Sequence, residues 1–167
     1  LTAQYAINQY TITFNSNDGS AISSITQDYM TAVTQPTGPT KEGYTFGGWY
    51  SDEGLTTAFN FTTMPAENIM LYAKWDLAQF TISFESNGGS LIDSITQDYL
   101  STVTSPENPT KQGYTFDGWF SDNTLTTSYN FTTMTAEDIT VYAKWNPNLY
   151  EVTFVLNNGE TNFIETD

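Results

Sequence analysis

PTKEGYTFGGWYSD, residues 39–52, sets three glycines among two tyrosines, a phenylalanine and a tryptophan. Rings beside glycines suit either an open platform for a ligand or one strand of a small core. In a core, the glycines let the backbone turn or approach a ring closely. What the rest of the chain does with the same motif decides between the two.

The motif returns. GYTFGGW at 43–49 is answered by GYTFDGW at 113–119, FNFTTM at 59–64 by YNFTTM at 129–134, and LYAKW at 71–75 by VYAKW at 141–145. Laid on 80–149 at an offset of 70 residues, segment 10–79 needs no gap and is identical at 43 of 70 positions. The period reaches both ends: LTAQY (1–5) matches LYAKW, and YEVTFVLNNG (150–159) matches FTISFESNGG (80–89). A fixed period of this size signals a repeat architecture. The expected organisation is 1–9 as the last strand of a preceding repeat plus a linker, 10–79 as repeat domain 1, 80–149 as repeat domain 2, and 150–167 as the start of a third, truncated repeat.

Within a repeat the pattern is mostly β, α+β at most. Tyr10, Ile12 and Phe14 alternate with Thr11 and Thr13, as in a half-buried strand. NDG (17–19), NGG (87–89) and NNG (157–159) supply the positive φ angles of a tight hairpin turn. The spacing of Ile22 and Ile25 on the return strand breaks alternation and predicts a bulge near Ser23–Ser24. A polar loop with Pro36 and Pro39 follows, with at most one helical turn around Asp28–Val33. Tyr44, Phe46 and Tyr50 alternate on a third strand, which places Trp49 on its other face. Phe59 and Phe61 mark a short extended piece, and Ile69, Leu71, Ala73 and Trp75 a last strand. Linkers are expected at 76–79 and 146–149.

Composition excludes several functions. The chain has 167 residues, no Cys, no His, four Lys and a formal charge of −15. Without His or Cys there is no Ser-His-Asp or Cys-His triad, no zinc finger and no disulfide. Clustered basic residues, which nucleic acid and anionic membranes require, are missing. No apolar run approaches the roughly 18 residues of a membrane span. With 16% aromatic residues the chain is nevertheless a folding sequence.

A unit of about 70 residues has a marginal core, and buried aromatics repair this at roughly 150–250 Å² each. Tyr44, Phe46, Trp49 and Trp75 are therefore expected to point inward. The alternative is a binding surface made by Trp49, Trp119, Tyr50 and Phe120, with the out-of-phase Trp49 as its centre.

Taken together, F-x-x-N-G-G (met in full from Phe84), P-T-x-x-G-Y-T-F-x-G-W-Y from Pro39 and M-P-A-x-x-I-x-L-Y-A-x-W from Met64 resemble the Listeria–Bacteroides repeat, the B-repeat of internalins and of other bacterial surface proteins. The resemblance covers both full repeats and the partial third. It implies tandem small β-grasp-like (ubiquitin/SUMO-like) domains, placed outside the cell, at its surface or wall, in long adhesin-type proteins. Departures fall at turns: Asp18 where Gly is usual, Met30 and Leu100 where Gly is common, and Thr135 for a Pro.

Other candidate sites have plainer readings. Lys41/Lys111 and Lys74/Lys144 could enter isopeptide bonds, or simply face solvent and pair loosely with carboxylates. Asn15–Gly19 faintly resembles a calcium loop, yet Gly88 replaces Asp18 in the second copy, and a turn explains both. Asp52 and Asp122, with Glu53 beside the first, could imitate a hydrolase carboxylate, but nothing sets a second carboxylate opposite. Asn60 and Asn130 fit the glycosylation pattern. The expectation is a non-catalytic stalk with no cofactor and no metal. Its tandem copies could add avidity for a host or neighbouring-cell protein or a glycan. Neither nucleic acid nor membrane insertion is expected.

Overall fold

A computed structural model describes residues 6–155 and 161–164, with side chains over 6–151. The strand expected within 1–5 and the turn expected at 157–159 lie outside the described residues. The described chain is β and contains no helix. Its strands are β1 (Gln9–Asn15), β2 (Ile25–Asp28), β3 (Tyr44–Tyr50), β4 (Ile69–Leu77), β5 (Gln79–Glu85), β6 (Ile95–Asp98), β7 (Tyr114–Phe120), β8 (Ile139–Pro147), β9 (Val152–Val155) and β10 (Thr161–Ile164).

Each long repeat makes one four-stranded sheet, in the orders β2-β1-β4-β3 and β6-β5-β8-β7, and β9 and β10 form a separate pair. In the first sheet β1 and β4 are parallel neighbours at the centre, with Ile12 opposite Ile69 and Phe14 opposite Leu71. β2 runs antiparallel to β1 and β3 antiparallel to β4. By contacts the chain divides into two compact units. The first comprises Leu1–Phe80, Gln97–Ser101 and Thr133–Glu137, and the second Thr81–Thr96, Thr102–Thr132 and Asp138–Asp167.

The alternation in the last strand places Leu71 and Ala73 fully inside. Ile12, Val33, Trp49 and Met64 complete the buried cluster, with Phe14, Ile25, Phe46, Phe61 and Trp75 packed partly against it. Loops cover the inner sheet face. The loop carrying Val33 and the loop carrying Met64 are joined by backbone hydrogen bonds from Met30 to Met64 (3.1 Å), Val33 to Thr62 (2.9 Å) and Met64 to Thr31 (2.8 Å). Two loops that bond to each other satisfy the polar backbone they carry over the core.

Several details depart from the sequence expectation. Residues 20–24 pair with no strand, so the predicted bulge near Ser23–Ser24 has no ladder to sit in. The return strand begins only at Ile25. Instead of a helical turn, Asp28 to Thr31 closes a single turn with an N–H···O distance of 3.1 Å. Phe59 and Phe61 lie outside any strand. β4 also runs on through Asp76 and Leu77, which pair with Thr45 and Tyr44, so Ala78 alone separates it from β5.

Candidate functional site

The β3 segment carries the residues in question. Its register against β4 slips between Phe46 and Gly48: Phe46 lies opposite Trp75, Gly48 opposite Lys74 and Trp49 opposite Ala73. One extra residue, Gly47, therefore puts Phe46 and Trp49 on the same face, the one that carries Trp75 and Ala73. This corrects the expectation that Trp49 opposes Phe46. Gly48, at φ +115, takes the backbone angle that the bulge requires. The second repeat slips identically between Phe116 and Gly118.

Trp49 is 2% exposed and Trp119 4%. Trp49 packs on Phe14 with centroids 4.7 Å apart and on Phe46 at 5.3 Å. Trp119 does the same with Phe84 at 4.9 Å and Phe116 at 5.4 Å. Both indoles are buried, and neither indole N–H has a hydrogen-bond partner among the described residues. Tyr50 and Phe120 fall on the opposite side of their strands, Tyr50 partly open and Phe120 nearly covered. Lys74 Nζ lies 5.9 Å from the Tyr50 ring centroid and Lys144 Nζ 4.8 Å from that of Phe120. Within each repeat the two proposed binding residues thus lie on opposite sides of their strand.

A second cluster, built the same way in both repeats, joins the hairpin turn to the sheet. Asn17 and Asp18 take φ of 47° and 67°, and Gly19 N–H closes the turn on the Ser16 carbonyl at 3.0 Å. Two consecutive positive φ angles are the signature of a type I′ turn. The Asn17 side chain donates to the Ala73 carbonyl at 2.8 Å, and Trp75 Nε1 donates to the Ser16 carbonyl at 2.9 Å. Lys41 Nζ donates to the Asn17 carbonyl at 3.0 Å while standing 4.9 Å from the Tyr44 ring centroid. The second repeat repeats all three bonds: Asn87 to Ala143 at 2.7 Å, Trp145 to Ser86 at 2.8 Å and Lys111 to Asn87 at 2.8 Å. Gly19 and Gly89 are needed because a Cβ at either would meet the tryptophan Cζ2 at 2.4 Å.

The other candidate groups serve the fold. Asn15 Oδ1 accepts from Asn17 N–H at 3.0 Å and the Asp18 side chain is 94% exposed, so this loop behaves as a turn. Among the described residues no group of three or more acidic side chains gathers to hold a metal ion. The Asp52 carboxylate accepts from Thr56 N–H at 3.0 Å, Thr57 N–H at 2.7 Å and Thr56 Oγ1 at 3.0 Å. The Thr56 backbone bond leads the causes that hold its carboxyl below the usual value. Asp122 is held lower still, first by the Thr124 hydroxyl and then by the backbone of Thr127 and Thr126. Lys74 pairs with Asp76 at 3.6 Å. Lys144 pairs with Asp117 at 3.2 Å. Gly47 and Asp76 of the first repeat become Asp117 and Asn146 in the second, so the lysine keeps one carboxylate but receives it from the other strand.

The sequence reading missed the Asn17–Lys41–Trp75 cluster. A signal was present: Asn17, Lys41, Tyr44, Ala73 and Trp75 all recur unchanged 70 residues on.

Comparisons with known proteins agree on the repeat. The family profile described as Listeria-Bacteroides repeat domain matches residues 10–74 and 80–144. Two Evansella cellulosilytica proteins named as membrane proteins are similar. The first, named as Gly-rich, is 47% identical over 161 residues, covering 95% of this chain and 19% of its own length. The second is 45% identical over 161 residues, covering 95% of this chain and 24% of its own length. Internalin H of Listeria monocytogenes is 41% identical over 129 residues, covering 75% of this chain and 23% of its own length. The chain thus spans about a fifth to a quarter of these relatives.

Proposed function

This chain belongs to the Listeria–Bacteroides repeat domain family, and from that premise we propose that it is a non-catalytic stalk or spacer module in a bacterial cell-surface, adhesin-type protein. One observation carries the reading. The same packed unit occurs twice, and in each copy both tryptophans, both lysines and the Asp52 or Asp122 carboxylate are engaged in holding the fold. Repeated units of this kind add length without adding chemistry. The mixed sheet, with first and last strands parallel at its centre, supports a β-grasp-like assignment for repeats 10–79 and 80–149. The names of the relatives, internalin and membrane protein, support a place outside the cell, at its surface or wall.

The alternative is a module that itself binds a host protein or glycan through Trp49, Trp119, Tyr50 and Phe120. Burial of both indoles speaks for the spacer. Acrylamide quenching of tryptophan fluorescence, with and without a panel of glycans, separates the two. The spacer predicts weakly quenched Trp49 and Trp119 and no change with any glycan; quenching that a glycan protects would overturn it. Protease treatment of intact producing cells tests the placement, since a surface module is cleaved and an internal one is not.

A further inference from the structure

Asn87 is followed by Gly88, and among the described residues no other asparagine precedes a glycine; the first repeat has Asp18 at the matching place. An asparagine in this setting can lose its side-chain amide. The backbone nitrogen of the next residue attacks the asparagine Cγ, the Cγ–Nδ2 bond breaks, and ammonia carries away that nitrogen's proton. The succinimide ring so formed takes up one water and opens to aspartate or isoaspartate. Glycine, having no Cβ, leaves its nitrogen freest to approach. Asn87 is exposed, so water reaches it.

The folded turn holds the reacting atoms apart. Asn87 and Gly88 have φ of 49° and 83°, and Gly89 N–H closes the turn on the Ser86 carbonyl at 3.0 Å. Asn87 Nδ2 donates to the Ala143 carbonyl at 2.7 Å, so the carboxamide is directed at β8. The Asn87 N–H donates to Glu85 Oε1 at 3.1 Å, and its carbonyl accepts from Lys111 Nζ at 2.8 Å. Ring closure bends the carboxamide back over its own backbone, which breaks the Ala143 bond. It also rotates the Asn87–Gly88 peptide out of the left-handed turn, which breaks the Gly89 bond. The product does not fit where the amide was. Aspartate has no donor for the Ala143 carbonyl and brings a second carboxylate beside Glu85, a charge that Lys111 offsets only in part. Isoaspartate adds a methylene to the main chain inside a turn of fixed length.

We propose that Asn87 is a site of spontaneous deamidation that is shut while the second repeat is folded, reacts when its turn opens, and once reacted hinders the turn from re-forming. An opening of the repeat is then recorded covalently in the chain. The first repeat lacks the reactive pair: attack on Asn17 must come from the nitrogen of Asp18, whose own side chain obstructs the approach.

Peptide mapping by mass tests this, since exchanging the amide for a carboxylate raises the mass, and it separates Asn87 from Asn158, which also precedes a glycine. At mildly alkaline pH, Asn87 should react more than about tenfold more slowly in the folded chain than in guanidinium chloride, in proportion to the rarity of turn opening. Trp145→Phe removes the indole bond to the Ser86 carbonyl at 2.8 Å. It should speed the reaction of the folded chain about fivefold, or to the denatured rate if the repeat unfolds, without changing the rate in denaturant. Gly88→Asp, which reproduces the first repeat's turn, should suppress the reaction in both conditions. Equal rates in the folded and denatured chain, no reaction at Asn87 in denaturant, or an unchanged rate in Trp145→Phe would each overturn the proposal. The consequence is read from Asn87→Asp, whose Gly89 amide should exchange faster than in the parent. Unchanged exchange there would show that the reacted turn closes as before and would overturn that part of the proposal.

Discussion

Trp75 donates its indole N–H to the Ser16 carbonyl at 2.9 Å and so fastens the hairpin turn to the end of β4. Trp49, one strand away, buries its N–H with no acceptor among the described residues. The two tryptophans of a repeat therefore stabilise it in different ways, one through a hydrogen bond at the rim and the other through packing alone.

That difference is measurable. Trp49→Ala should cost about 3–5 kcal/mol in chemical denaturation, the range for emptying a large core site. Trp49→Phe should cost much less, since it keeps a ring and removes an unsatisfied donor that costs about 1–3 kcal/mol. Trp75→Phe should speed amide exchange at Gly19, whereas Trp49→Phe should leave that amide protected. Equal effects on Gly19 would show that the Ser16 bond does not hold the turn.

Met30 and Leu100 adopt φ of 67° and 62° and are 61% and 58% exposed. A left-handed conformation costs an L-residue roughly 1–2 kcal/mol, and little packing is lost on truncation here. Met30→Gly and Leu100→Gly should each raise stability, by about 0.5–1 kcal/mol after the greater freedom of glycine in the unfolded chain is subtracted. A lower melting temperature for both would show that the side chains pack more than their exposure suggests.

The Asp52 and Asp122 carboxyls are both lowered from 3.8 by hydrogen bonds to their own turns. A depressed folded-state value means stability that is present above the unfolded value and lost as pH falls through the folded one. Melting of the parent chain should therefore decline below about pH 4. The difference between the parent and the Asp52→Asn, Asp122→Asn double variant should be largest near neutral pH and shrink on acidification. A difference that stays constant with pH would assign the turns' stability to other groups.

The exchanged carboxylates predict a compensating pair. Gly47→Asp alone sets a second carboxylate against Asp76 Oδ2, which would lie 2.6 Å from the new Cβ, and should destabilise the first repeat. Adding Asp76→Asn reproduces the second repeat's arrangement and should restore stability to within about 0.5 kcal/mol, because contacting sites are not additive. The Lys74 pair itself is worth about 0–1 kcal/mol, so raising salt should change little.

The strands were legible wherever one face is buried. Ile69, Leu71, Ala73 and Trp75 alternate because β4 lies at the centre of its sheet, and the observed strand follows. Trp49 was misplaced for an equally physical reason: a single-residue bulge at Gly47 reverses the phase of everything after it, and nothing in period-2 counting reveals the bulge. The Gly47-Gly48 pair was the visible hint. The Asn17–Lys41–Trp75 cluster was marked only by the unchanged recurrence of its residues 70 positions on; its bonds join residues 24 to 59 positions apart through backbone carbonyls, and periodicity does not reveal such bonds.

The parallel pairing of β1 with β4 has a mechanical consequence. A repeat's chain enters at the start of β1 and leaves at the end of β4, so tension along the protein pulls these neighbouring strands in opposite directions along their length. The rungs between Ile12–Asn15 and Ile69–Tyr72 are then loaded in shear, all at once, and cannot be unzipped singly. A string of such units yields to pulling only when every rung of one sheet gives way together.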